Sequence, residues 1–139
     1  MHKKAYQIIE HTADIGIRVK AGDLKGLFRN AAAATFDIIA ERKSPSRPAR
    51  KFIIKQKAEN PEELFLNWLN ELLSLSAAKG KIFCDYRFKK LTTKELEAEA
   101  FGCDIKDYKV NVEIKAATYH QLKVKETKSG WVAEVIFDV

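Results

Sequence analysis

The stretch that most constrains the fold runs from Asn60 to Gly80. Asn60-Pro61-Glu62-Glu63 spells out a helix start. Asn60 caps, Pro61 takes the first helical position where its missing N–H costs nothing, and Glu63 sits where a capping box wants it. Both glutamates also favour the positive end of the helix dipole. Leu64, Phe65, Leu66, Trp68, Leu69, Leu72, Leu73 and Leu75 follow, and the helix ends near Gly80. That apolar face is too wide for a helix lying on a single surface, so the spacing predicts a central core helix.

A second helix is predicted upstream. Asp23 is a good N-cap, and Leu24, Leu27, Phe28, Ala31, Thr35 and Ile38 form a helical stripe. Before it, Tyr6–Glu10 is a short strand candidate, and Ile15, Ile17, Val19 and Ala21 alternate as in a half-buried strand. Further strands are predicted over Arg50–Lys57, Ile82–Lys89, Lys94–Phe101, Val110–Lys115, Ala117–Glu126 and Trp131–Val139. Thr92-Thr93 and Ser129-Gly130 supply turns, and Cys103–Lys109 reads as a polar link. Helices and strands do not alternate as βαβ units. The expected class is therefore α+β, a single domain over residues 1–139 with a largely antiparallel or mixed sheet packed against two main helices.

The 139 residues suit one domain and can bury a core without staples. No apolar run approaches the roughly 20 residues a membrane-spanning helix needs. Met1-His2-Lys3-Lys4 is not followed by a signal-peptide stretch. Cys84 and Cys103 make no disulfide framework and read as small buried hydrophobes, so a reduced, cytoplasmic setting is expected. The net charge of +6 is concentrated. Arg42, Lys43, Arg47, Arg50, Lys51, Lys55 and Lys57 stand against Glu41 alone in residues 41–57. This segment reads either as a phosphate-binding arm or as a solvated loop leading into a strand with Lys on its outer face. Its one aromatic, Phe52, provides no stacking platform for single-stranded nucleic acid.

Most chemical templates are absent from the sequence: no Gly-rich phosphate loop, no GxSxG elbow, no CxxC or HExxH zinc pattern. Two places remain. His11-Thr12-Ala13-Asp14 interrupts the first strands and can present a carboxylate. Asp138 stands next to the last residue, Val139, on an apolar strand. If first and last strands are neighbours, Asp14, Asp138 and the Val139 carboxylate gather three negative oxygen donors. Such a cluster repels itself without a hard divalent cation. The alternative is that Asp14 caps its loop and Asp138 is solvated at a chain end. His11 or His120 as the general base of a small hydrolase is a further reading, set against histidines bonded to loop backbone.

Three blocks are similar to the archease family: residues 10–39 (EHTADIGIRVKAGDLKGLFRNAAAATFDII), 60–75 (NPEELFLNWLNELLSL) and 113–139 (EIKAATYHQLKVKETKSGWVAEVIFDV). Ala117 replaces an expected Val, and Cys103 follows Gly102 where an acidic residue is more usual. The resemblance implies a small α+β protein with no enzymatic activity of its own. It would be an accessory factor of the RtcB-type tRNA-splicing ligase, promoting guanylylation and multiple turnover of that RNA ligase in tRNA processing. It also implies a divalent cation, calcium first with Mg2+ and Mn2+ as alternatives, on Asp14, Asp138 and Val139. RNA-modification enzymes reached through chaperone-like behaviour are further clients that it allows. The competing reading is an RNA-binding or chaperone-like module docking tRNA through residues 42–57.

Overall fold

A computed structural model of the chain describes residues 5–11 and 14–139. Strands β1 (Tyr6–His11) and β2 (Asp14–Ala21) precede helix α1 (Leu24–Ile39). The short β3 (Ala40–Arg42), β4 (Arg50–Lys57) and helix α2 (Pro61–Lys79) come next. After them run β5 (Lys81–Leu91), β6 (Glu95–Asp104), a 3-10 turn at Ile105–Asp107, β7 (Tyr108–Val110), β8 (Ala116–Thr127) and β9 (Gly130–Asp138). The predicted α+β class with two main helices is the observed one, and the paired strands are antiparallel throughout.

The strands divide between a four-stranded sheet ordered β1-β2-β9-β8 and a three-stranded sheet ordered β4-β6-β5, with β3 and β7 forming a small ribbon. Both helices touch both larger sheets. Helix α1 packs on β2 and β9 of one and β5 of the other, while α2 packs on β8 of one and β4 and β5 of the other. This arrangement answers the wide apolar face of α2, whose Leu64, Phe65, Leu66, Trp68, Leu69, Leu72 and Leu73 are all buried. The ends of α2 are as its sequence dictates. Asn60 Oδ1 accepts from the Glu63 N–H at 2.9 Å, and Gly80 closes the helix in the left-handed region at φ 63°. On α1, the Asp23 carboxylate accepts from the Gly26 N–H at 2.8 Å.

Two expectations need correction. No strand spans Val110–Lys115: only Tyr108–Val110 is strand, and it pairs with Ala40–Arg42. The N–H groups of Asn111 and Val112 instead donate to the Ile39 carbonyl at 2.7 and 3.3 Å, satisfying an orphan acceptor at the end of α1. The polar link also begins later than expected, because β6 continues to Asp104 and carries the fully buried Cys103.

Trp68 ties the layers together. Its indole N–H donates to the Phe28 carbonyl of α1 at 3.0 Å, and its ring meets Tyr86 and Phe88 of β5 at centroid distances of 5.7 and 5.2 Å. Trp68→Ala removes the largest buried side chain, so urea unfolding is expected to show a loss of about 3–5 kcal/mol. A loss below about 1 kcal/mol would contradict this role.

Candidate metal centre

The two strands at the middle of the four-stranded sheet come from opposite ends of the described chain. Strand β2 pairs with β9 along its whole length, from Asp14 opposite Asp138 to Ala21 opposite Trp131. Because side chains alternate across a strand, Ile17, Val19, Ala133, Val135 and Phe137 fall on the helix-facing side and are buried. Asp14 and Asp138 share the other face as directly opposed residues. Cross-strand partners hold their Cβ atoms about 4.5–5.5 Å apart, and like charges set opposite each other destabilise a sheet. On the same face, Arg18 opposes Glu134 as an ion pair at 3.4 Å, so the two aspartates are the exception to a matched surface.

Neighbouring elements fix this end of the sheet. Asp14 is paired on its far side with His11 of β1, and Asp138 with Ala116 of β8. The Asp138 carbonyl accepts from the Lys115 N–H at 2.9 Å. Asn70 of α2 then closes the free edge of β8 at its start. Its amide donates to the Ala117 carbonyl at 3.1 Å, and its Oδ1 accepts from the Ala117 N–H at 2.7 Å. Gly16 lies two residues from Asp14, and a Cβ there would stand 3.1 Å from the Ile9 carbonyl oxygen. The absence of a side chain therefore lets β1 and β2 close up beside the aspartates.

Two features of this end escaped the sequence reading. One is Asn70, a polar residue inside an apolar helix. The other is an irregularity in β8: Thr118 faces Ile136 and Lys123 faces Glu134, so the intervening residues of β8 bulge outward. Gln121 adopts φ 52°, and Tyr119 is 65% exposed. His120 lies in the bulge with its N–H directed to Thr118 Oγ1 at 3.3 Å. Thr12, Ala13 and the side chain of His11, which belong to the His11–Asp14 motif, fall outside the described residues. Val139 follows β9 and is 40% exposed.

The basic segment takes its charge to a different place. Arg50 and Phe52 stack at 4.7 Å, Lys55 meets Glu97 of β6 at 3.6 Å, and Lys51 reaches the buried Glu99 at 3.0 Å. Arg87 and Lys89 of β5 approach the same carboxylate at 3.8 Å each. The hydrogen bond from Lys51 and the surrounding cations hold the Glu99 carboxyl below the usual range. This is a strand with lysines on its outer face, matched by glutamates of its neighbour.

The whole architecture can be compared with known proteins. The family model for the archease protein family matches residues 6–139. The chain belongs to the archease family. "Protein archease" of Methanosarcina barkeri is 34% identical, covering 98% of this chain and 97% of that protein. The protein of the same name from Pyrococcus abyssi is 34% identical, with 98% and 99% covered. The solution structure of a Methanobacterium thermoautotrophicum protein superposes with a TM-score of 0.76 at 25% identity, covering 99% of this chain and all of that one. A Thermotoga maritima crystal structure, described as an archease and possible chaperone, gives a TM-score of 0.67 at 24% identity with the same coverage.

The donor set of this archease fits a hard divalent cation in its chemistry. It offers two carboxylates in register, and among the described residues no further His, Cys, Asp or Glu joins them into a cluster of three. A cation held there would draw its remaining ligands from main-chain oxygens and water. Without a cation, Asp138→Asn relieves the opposition to Asp14. Urea unfolding in excess chelator is expected to show a gain of up to about 1 kcal/mol, whereas a clear loss would mean that the two carboxylates do not repel.

Proposed function

We propose that this archease is a non-enzymatic accessory protein that binds a divalent cation, calcium first, through Asp14, Asp138 and Val139. We further propose that it activates an RtcB-type RNA ligase in tRNA splicing, promoting guanylylation and repeated turnover of the ligase. What supports the reading is the register of β2 on β9, which sets two carboxylates opposite each other on the face away from the buried Ile17, Val19, Val135 and Phe137. The bound ion would neutralise that pair and leave a partly hydrated positive charge at the protein's edge.

The chain's own residues do the rest. Asp14 and Asp138 hold the ion from rigid strands, and Val139 adds a main-chain oxygen. Asn70 keeps β8 in place beside Asp138, and the bulge presents Tyr119 near the same edge as a contact for a docking ligase. The glutamates of β6 that pair with Lys51 and Lys55 favour this reading over an RNA-binding arm at residues 42–57.

The test is a ligase guanylylation assay with and without the archease, across divalent metals. Asp14→Ala and Asp138→Ala should each abolish stimulation while melting and far-UV circular dichroism stay native, and Val139→Ala should have little effect. Full stimulation by either folded aspartate variant sinks the proposal. An RNA-binding module would instead show salt-dependent RNA affinity that falls on charge reversal at Arg47, Arg50 and Lys51.

A further inference from the structure

The β5–β6 hairpin contains a second chemical feature, on the other large sheet. Its register runs Ile82 opposite Cys103 and Phe83 opposite Gly102, then skips to Asp85 opposite Phe101. Cys84 is the extra residue of that bulge. Its Sγ lies 2.7 Å from Sγ of Cys103 and 3.3 Å from the Phe101 carbonyl oxygen. Both cysteines are free thiols. Their separation is far inside the roughly 3.5–4.0 Å at which unbonded carbon atoms settle. It approaches the roughly 2.05 Å of a sulfur–sulfur bond, and adjacent strands hold backbones close enough for one.

The two thiols differ in access. Cys103 is fully buried. Cys84 is half-buried and lines an open cleft of about 300 Å³ with Asp37, Arg42, Tyr86 and Tyr108. We propose that Cys84 and Cys103 are a reversible dithiol pair, which closes to an intrachain disulfide by slow exchange with a small-molecule disulfide entering the cleft beside Arg42.

Cys84 is the entry residue and Cys103 the resolving one. The Cys84 thiol loses its proton to solvent and its sulfur attacks one sulfur of the small disulfide, breaking that bond. The first small thiolate leaves and takes up a proton. Cys103 then gives up its own proton and attacks the Cys84 sulfur, expelling the second small thiolate. The protein dithiol is oxidised, the small disulfide is reduced to two thiols, and the reverse exchange restores the pair.

Burial pushes the Cys84 thiol up to about 12, the Cys103 thiol and Asp85 add to the rise, and Arg42 opposes it. Its thiolate is therefore scarce at neutral pH, which makes the exchange slow and suits a pair that follows the prevailing thiol–disulfide balance rather than bursts of oxidant. Beside the pair, the Arg42 guanidinium lies 3.4 Å from the Tyr108 phenol oxygen. Closure ties the two strands of the hairpin in the denatured chain.

The test incubates the whole protein in graded mixtures of reduced and oxidised glutathione, followed by thiol alkylation, intact mass and peptide mapping. The expected product is lighter by two hydrogen atoms, resists alkylation, and yields a peptide linking Cys84 to Cys103. Its melting temperature should exceed that of the reduced chain by about 10 °C. Cys103→Ser, or Cys103→Ala where serine fails to fold, should stop at a mixed disulfide on Cys84. Wild-type protein that accumulates the mixed disulfide, or keeps two free thiols at every ratio, would overturn the proposal. Cation binding at the aspartates should be the same in both redox states.

Discussion

The β2–β9 ladder is the interaction on which the rest of this structure depends. It sets Asp14–Ala21 antiparallel to Trp131–Asp138 at the centre of the four-stranded sheet, with β1 and β8 added outside. A register of this kind fixes both faces at once. One face delivers Ile17, Val19, Ala133, Val135 and Phe137 to the helices. The opposite face sets Asp14 against Asp138. A slip by one residue would bury the aspartates and expose the core, so the hydrophobic driving force that folds the sheet also maintains the electrostatic repulsion at its edge.

Local signals in the sequence carried much of the fold. The caps around Pro61–Lys79 gave boundaries that the structure repeats, and the alternation of Ile15, Ile17, Val19 and Ala21 marked β2, because caps and alternation act within a few residues. The division of the strands between two sheets was not legible, since it depends on which strands α2 separates. The β3–β7 ribbon was also hidden: two three-residue strands carry no periodicity, and Ala40 simply extends the apolar stripe of α1. The bulge of β8 arises only when Thr118 and Lys123 both meet β9. For the site, each aspartate could be placed near a strand end from the sequence, but their opposition required the register. Asn70 gave no signal at all, because its partners are backbone atoms of Ala117, far along the chain.

Charge works differently from what its total suggests. A net +6 invites a nucleic-acid partner, yet the lysines of β4 lie against the glutamates of β6, with Glu99 drawn under three cations. Asp14 and Asp138, far apart in sequence, are instead set directly opposite each other on adjacent strands. The cation-dependent role proposed above rests on that contrast. The β2–β9 register sets two carboxylates at one end of the sheet, and in that proposal a bound cation would neutralise them.

Calorimetric titration of calcium into the metal-stripped chain tests this account most directly. The account predicts one saturable site in the wild-type protein, with binding lost when Asp14→Asn and Asp138→Asn are combined in a variant that melts as a native protein. Undiminished binding by that double variant, or no binding of calcium, magnesium or manganese by the wild type, would contradict it.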